Sequence, residues 1–247
     1  MKLVPEPGRA YICPKIQVLK KLFTLLLFSL FISINSQAQV DEDQLGGWYM
    51  YFWNTDFGES KFGLQGDVQY RNWDVMGDLE QLLLRAGVTY SPNSNLMLTL
   101  GYGNITSGAF GDSNDTSSES RIYQEALLPH KISERIYLKH RFRYEQRWVE
   151  DQDFRTRYRY NLFLNIPLNQ PNLDKNSVYL AFYNEVFLNG QKDISAGRSV
   201  EIFDRNRLYG ALGYSIKNNL KVQAGFMEQT SNSISKGQIQ LSLHHSF

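Results

Sequence analysis

The chain has 247 residues, 26 of them Lys or Arg and 25 Asp or Glu, so its net charge of +1 gives no electrostatic basis for a nucleic-acid partner. With 15 Tyr, 15 Phe, 4 Trp and 18 Gly against 7 Pro it is rich in strand-forming aromatics, although its mean hydropathy is negative. A single cysteine excludes a disulfide framework and a cysteine-based metal site.

The first element is an address. Leu22 to Ile34 is an apolar run, led by Lys20 and Lys21 and followed by Asn35, Ser36, Gln37, Ala38 and Gln39. That order of charged, apolar and small residues is a secretory signal, with cleavage expected after Ala38. A membrane helix would need about 20 apolar residues, and this run is too short. The long leader before Lys20 points to a start codon downstream of Met1, and Cys13 precedes the apolar run, where it cannot accept a lipid. Residues 1–38 are expected to be removed. The remaining 39–247 form one cysteine-free domain, to be held by a large core or a closed hydrogen-bonded sheet.

From Trp48 to Phe247 apolar and polar residues alternate, and no stretch sustains a helical i, i+3, i+4, i+7 stripe. In chain order, strands are predicted near 47–54, 61–71, 79–90, 95–103, 121–129, 134–148, 154–167, 177–188, 203–215, 219–229 and 237–247. In the second of these, Leu64, Gly66, Val68 and Tyr70 oppose Gln65, Asp67, Gln69 and Arg71. In the sixth, Ile136, Leu138, His140, Phe142, Tyr144, Gln146 and Trp148 share a face opposite Arg135, Tyr137, Lys139, Arg141, Arg143, Glu145 and Arg147. Short connections at Ser91-Pro92-Asn93-Ser94, Ser133-Glu134 and Lys217-Asn218-Asn219 alternate with longer polar ones at 104–119, 189–200 and 230–236.

Alternation of tight turns and long loops is the plan of an outer-membrane barrel. The reading is therefore all-β: an antiparallel transmembrane β-barrel of about 10 to 12 strands. Single-chain bacterial barrels have an even strand number. Either the run Trp48–Trp53 is not a regular strand, giving ten, or one strand is hidden, giving twelve; twelve is favoured. A soluble lipocalin-like barrel or sandwich is the alternative. It would have to place this many aromatics in a small core and leave unbroken runs of Arg on a plain solvent surface.

The last strand, Gln238 to Phe247, alternates up to a terminal Phe on its apolar face. It resembles the C-terminal signal by which outer-membrane barrels are recognised for assembly, so Phe247 is the candidate assembly residue. Arg121-x-Tyr-x-Glu125, Arg141-Phe-Arg-Tyr-Glu-Gln-Arg147, Arg155-x-Arg-x-Arg159, Tyr183-Asn-Glu185-Val-Phe and Asp204-Arg-Asn-Arg207-Leu-Tyr-x-Ala-Leu-Gly-Tyr214 resemble the family called domain of unknown function 2490. The resemblance covers roughly Trp48 to Phe247. It implies an outer-membrane barrel of Gram-negative bacteria with no assigned biochemical activity, and it carries over no functional residue.

The distinctive constellation is the charge on the lumen face of the strands. Arg71, Arg85, Arg121, Lys139, Arg141, Arg143, Arg147, Arg155, Arg157, Arg159, Arg205 and Arg207 stand against Asp67, Glu125, Glu145 and Glu185. The structural reading is an ion-pair network that fills a narrow barrel. The functional reading is an anion-favouring pore or binding cavity, because four carboxylates cannot pair twelve cations. The expected partners are outer-membrane lipid, the barrel assembly machinery and small anions; no cofactor or metal is called for.

The competing class is an outer-membrane lipid-modifying enzyme, a hydrolase or deacylase. Its Ser–His candidate is His244-His245-Ser246, at the periplasmic rim and away from the outer leaflet such enzymes must reach. His130 and His140 have no Ser–Asp partner visible in sequence. Asp112, Asp115 and Glu119 lack the regular spacing of a calcium loop and read as a solvated loop. Gly101-x-Gly103 lies in a strand with no helix after it and is not a phosphate loop. Glycines 87, 101, 103, 210, 213 and 225 are expected to allow close packing in the barrel wall. The function expected is passive: a structural or accessory barrel, or a narrow anion-favouring pore.

Overall fold

The computed structural model describes residues 44–247 apart from 112 and 234, so the signal segment, Cys13 and the cleavage site at Ala38 lie outside the described residues. The strands are β1 (Gly46–Asp56), β2 (Phe62–Asn72), β3 (Leu79–Asn93), β4 (Leu96–Gly108), β5 (Thr116–Ser133), β6 (Ile136–Val149), β7 (Arg155–Pro167), β8 (Val178–Asn189), β9 (Asp193–Ser195), β10 (Arg198–Ser199), β11 (Phe203–Lys217), β12 (Leu220–Thr230) and β13 (Ser235–Ser246). Eleven of these close into a barrel, and β9 and β10 pair only with each other, inside the connection from β8 to β11.

The expectation of twelve strands is corrected to eleven. The run Trp48–Trp53 is a regular barrel strand within β1, and no twelfth barrel strand exists among the described residues. Sequential antiparallel pairing of an odd number of strands leaves the first and last running the same way. The seam between β1 and β13 is accordingly parallel, from Gly46 opposite Gln238 to Asn54 opposite Ser246. A parallel ladder still satisfies the backbone groups, so no sheet edge is left unpaired.

The barrel is apolar outside and polar within. Leu84, Val88, Leu100, Tyr102, Phe142, Leu208, Leu212 and Phe226 are exposed, whereas Gln69, Arg121, Glu145, Asn161, Glu185, Gln238 and Gln240 are buried. A soluble barrel requires the reverse distribution, and that alternative is set aside. The strands, 11 to 18 residues in the barrel wall, are long enough to cross a bilayer, which takes about 9–11.

Two connections differ from expectation. The stretch 104–119, expected as a loop, is mostly strand, because β4 runs to Gly108 and β5 starts at Thr116. At the opposite end, 168–177 is a longer connection, folded back over the interior: Ser215 Oγ donates to Leu173 O at 2.9 Å, and Leu173 packs on a buried cluster of Trp48, Tyr179, Ala181, Tyr209, Ala211 and Met227.

Two inward-facing glycines make room for rings lying across the lumen. Gly101 is directly opposite Tyr123, and Gly213 is opposite Tyr179. In both places a Cβ would collide with the tyrosine ring. Gly213→Val is therefore expected to displace Tyr179 and lower stability by about 1–3 kcal/mol, the usual range for overpacking. Urea unfolding midpoints in detergent would read this, and an unchanged midpoint would mean that the ring can turn aside freely.

Candidate functional site

Register decides how the interior charges meet. Arg121 faces Arg147, Arg147 faces Arg155, and Arg143 faces Arg159 across the β5–β6 and β6–β7 ladders. Like charges directly opposite repel, and the compensating carboxylates come both from directly opposite positions (Asp67 for Arg85, Glu125 for Arg143, Glu145 for Arg157, Glu185 for Arg207) and from diagonal ones. Glu119 accepts from both Arg121 and Arg147. Glu125 accepts from Arg143 Nε at 2.7 Å and lies 3.8 Å from Arg141. Glu145, 1% exposed, accepts from Arg157 at 2.7 Å and Arg159 at 2.6 Å, with Arg143 at 3.8 Å. Glu185 collects Arg141 at 2.7 Å, Arg159 at 2.6 Å and Arg207 at 3.9 Å, while Arg85 holds Asp67 at 2.9 Å.

Of the residues expected from sequence, Arg71, Arg85, Arg121, Glu125, Arg143, Glu145, Arg147, Arg157, Arg159, Glu185 and Arg207 are buried. Lys139, Arg141, Arg155 and Arg205 are half-buried. Three are not brought into the ion-pair network: Arg71, which donates to the amide oxygens of Gln69 and Gln81, Lys139 and Arg155. Lys139 has only the face of Phe163, 5.4 Å from its Nζ, and the buried Nε of Arg155 has no hydrogen-bond partner.

Sequence reasoning missed three carboxylates and a set of inward aromatics. Glu80 accepts from Trp48 Nε1 at 3.0 Å, and Asp204 pairs with Arg157 at 3.1 Å and Arg205 at 3.2 Å. Each is the extra residue of a register shift, opposite Arg71/Asn72 for Glu80 and between Phe203 and Arg205 for Asp204. A bulge of this kind turns inward a side chain that strict alternation would point out. Glu119, read as part of an acidic loop cluster, is instead buried on β5; Asp115 bonds Ser113, and Asp112 lies outside the described residues.

The aromatics carry the arginines. Arg71 and Arg207 lie 3.8 and 4.7 Å from the ring centroid of Trp48, and Arg157, Arg159 and Arg207 lie 5.2, 4.4 and 4.6 Å from that of Phe187. Cation–π stacking supplies attraction where no carboxylate reaches.

The interior holds a larger and a smaller cavity. The larger, about 510 Å³, extends to the tight-turn end, where Asn218, Asn219, Lys221 and His244 line it beside Met50, Phe52, Phe163 and Leu173. The smaller, about 50 Å³, is lined by Arg71, Arg85, Arg121, Arg147, Arg157, Arg159, Arg205 and Arg207 with Gln81, Leu83 and Phe187. Arg71, Arg85, Arg159 and Arg207 line both, so a layer of guanidiniums stands between them.

The His244-His245-Ser246 motif does not assemble. Ser246 Oγ donates to Asn54 at 2.8 Å, His245 meets Tyr51 at 3.1 Å, and His244 bonds Ser242, two residues back on its own strand, at 3.0 Å. His244 stacks on Phe52, and none of its side-chain hydrogen bonds goes to a carboxylate that could orient it for catalysis.

A family described as protein of unknown function (DUF2490) matches residues 45–240. An uncharacterized protein of Methylorubrum extorquens is 30% identical over 185 residues, which cover 71% of this chain and 77% of the relative. No solved structure matches the chain.

Proposed function

The chain belongs to the DUF2490 family, and on that premise we propose that it is a non-conducting outer-membrane barrel, structural or accessory in role and closed by its own ion pairs. One observation carries the reading: the layer of Arg71, Arg85, Arg159 and Arg207 between the larger and the smaller cavity, in which Asp67, Glu145 and Glu185 pair with Arg85, Arg159 and Arg207, and Gln69 and Gln81 hold Arg71. Arg–carboxylate contacts of 2.6 to 2.9 Å, bidentate between Arg85 and Asp67, hold side chains in fixed geometry, which suits a plug better than a conduction path.

With tight turns on the periplasmic side, the larger cavity is a blind pocket open towards the periplasm. The exposed Leu, Val and aromatic side chains of the wall contact outer-membrane lipid, and the C-terminal strand ending in the exposed Phe247 meets the assembly machinery. The barrel works without catalysis, since its Ser242–His244 contact lacks an orienting acid.

Purified protein in planar bilayers at high salt is expected to give no unitary current steps. Stepwise, anion-selective openings would overturn the plug and promote the pore. Lipase or deacylase turnover abolished by Ser242→Ala in a folded barrel would overturn the non-enzymatic role.

A further inference from the structure

We propose that the small cavity among the arginines is a binding site for a tetrahedral oxyanion of the phosphate or sulfate class, entered from the end of the barrel where β8 connects to β11. The site goes beyond the plugged-barrel reading, since an ion can be held there whether or not current passes.

The first observation is the wall. No carboxylate lines this void; guanidiniums do, with one glutamine and the apolar Leu83 and Phe187. Most of these arginines have one edge committed elsewhere. Arg85 holds Asp67, Arg157 holds Glu145 and Asp204, and Arg121 and Arg147 share the single Glu119. In Arg85, Arg121 and Arg147 these contacts use Nε and Nη2 and leave Nη1 uncommitted to a carboxylate among the described residues, and all three side chains line the void; Arg157 is committed through all three nitrogens.

The second observation is the charge balance. Arg71 has no carboxylate in hydrogen-bond or ion-pair contact: it donates to the amide oxygens of Gln69, at 2.6 Å, and Gln81, at 3.0 Å, and lies over Trp48. Arg207 is 3.9 Å from its nearest carboxylate, Glu185, which also serves Arg141 and Arg159. Positive charge in excess of its partners is thus concentrated round one buried point. A buried charge left without a counter-charge is strongly unfavourable. An anion in the void supplies that counter-charge.

Chemistry and size then select the class. Guanidinium forks match the O–P–O or O–S–O edge with two parallel hydrogen bonds, and several forks around one point need an acceptor with several oxygens rather than a single-atom halide. The void of about 50 Å³ exceeds the roughly 10–15 Å³ that one water requires, which leaves room for the oxyanion and little besides. Arg205, its side chain 31% exposed, marks the mouth, at the start of β11.

The test is calorimetric titration of the full chain, folded in detergent, with inorganic phosphate and with sulfate at constant ionic strength against chloride. Saturable binding of one phosphate or sulfate per barrel is expected. Arg71→Gln removes a cation without orphaning a carboxylate and should weaken binding at least ten-fold, whereas Lys221→Gln, which touches only the larger cavity, should leave it unchanged. If Arg71→Gln does not fold, Arg205→Gln at the mouth makes the same comparison. Glycerol phosphate and inorganic phosphate binding alike would identify the oxyanion as the head of a larger molecule, and preference for the inorganic ions would identify the free ion; both support the site. No saturable signal above chloride, or equal affinity in the folded Arg variants, would overturn it. Binding and conductance are separate readouts, so this site and the plug can fail independently.

Discussion

Glu145→Ala is expected to destabilise the barrel by about 3–5 kcal/mol, the range for removing one partner of a buried ion pair. Glu145 is 1% exposed and, among the described residues, is the carboxylate that both Arg157 and Arg159 contact, with Arg143 close behind. Removing it leaves several guanidiniums facing one another in the barrel interior. The loss comes from repulsion and unpaired burial more than from the hydrogen bonds themselves. A second substitution should therefore restore part of the stability. Arg157 has Asp204 as a further partner while Arg159 has Glu185, so neither Glu145→Ala/Arg157→Ala nor Glu145→Ala/Arg159→Ala removes every contact. Each double variant should nonetheless be more stable than the sum of its singles, with the strong coupling of residues in one network. Urea titration of barrels folded into lipid vesicles, followed by tryptophan fluorescence, gives the cycle. Strict additivity would show that the interior is wet enough for these charges to act independently.

What the sequence made legible follows from period two. Alternation alone placed Arg85, Arg121, Arg143, Glu145, Arg157 and Glu185 on one face of their strands, and all are buried. Four physical effects hid the rest. Bulges break the period, so Glu80 and Asp204 turn inward against the pattern. Composition misled at 104–119: serine and acidic residues read as loop, but pairing with the neighbouring ladder carries β4 to Gly108 and starts β5 at Thr116, which places Glu119 inside. Strand closure is non-local as well. The parallel seam joins Gly46 to Gln238, and nothing near either residue announces that eleven strands suffice. Nor does hydropathy separate an aromatic that faces lipid from one that faces guanidinium. Trp48 and Phe187, both 1% exposed, lie beneath the arginines.

Leu212→Arg should be the most costly change on the outer wall. Leu212 is 56% exposed in the middle of β11, with Leu180 and Ala224 as its cross-strand neighbours. On a soluble protein an arginine at so exposed a site would be close to neutral, within about 0.5 kcal/mol. In a bilayer the same position lies near the hydrocarbon midplane, where arginine costs about 2–4 kcal/mol. Ile216 is on the same outer face of β11, next to the strand's end at Lys217. An arginine there can extend to the headgroups, at a cost of about 0–1 kcal/mol. The difference between Leu212→Arg and Ile216→Arg in lipid vesicles is thus the measurement that separates a membrane wall from a solvated one. A gap of a few kcal/mol that shrinks when the same proteins are unfolded from detergent would locate the lipid along β11. Equal and small effects in vesicles would remove the membrane from the description of this barrel, while leaving its interior ion pairs to be explained by folding alone.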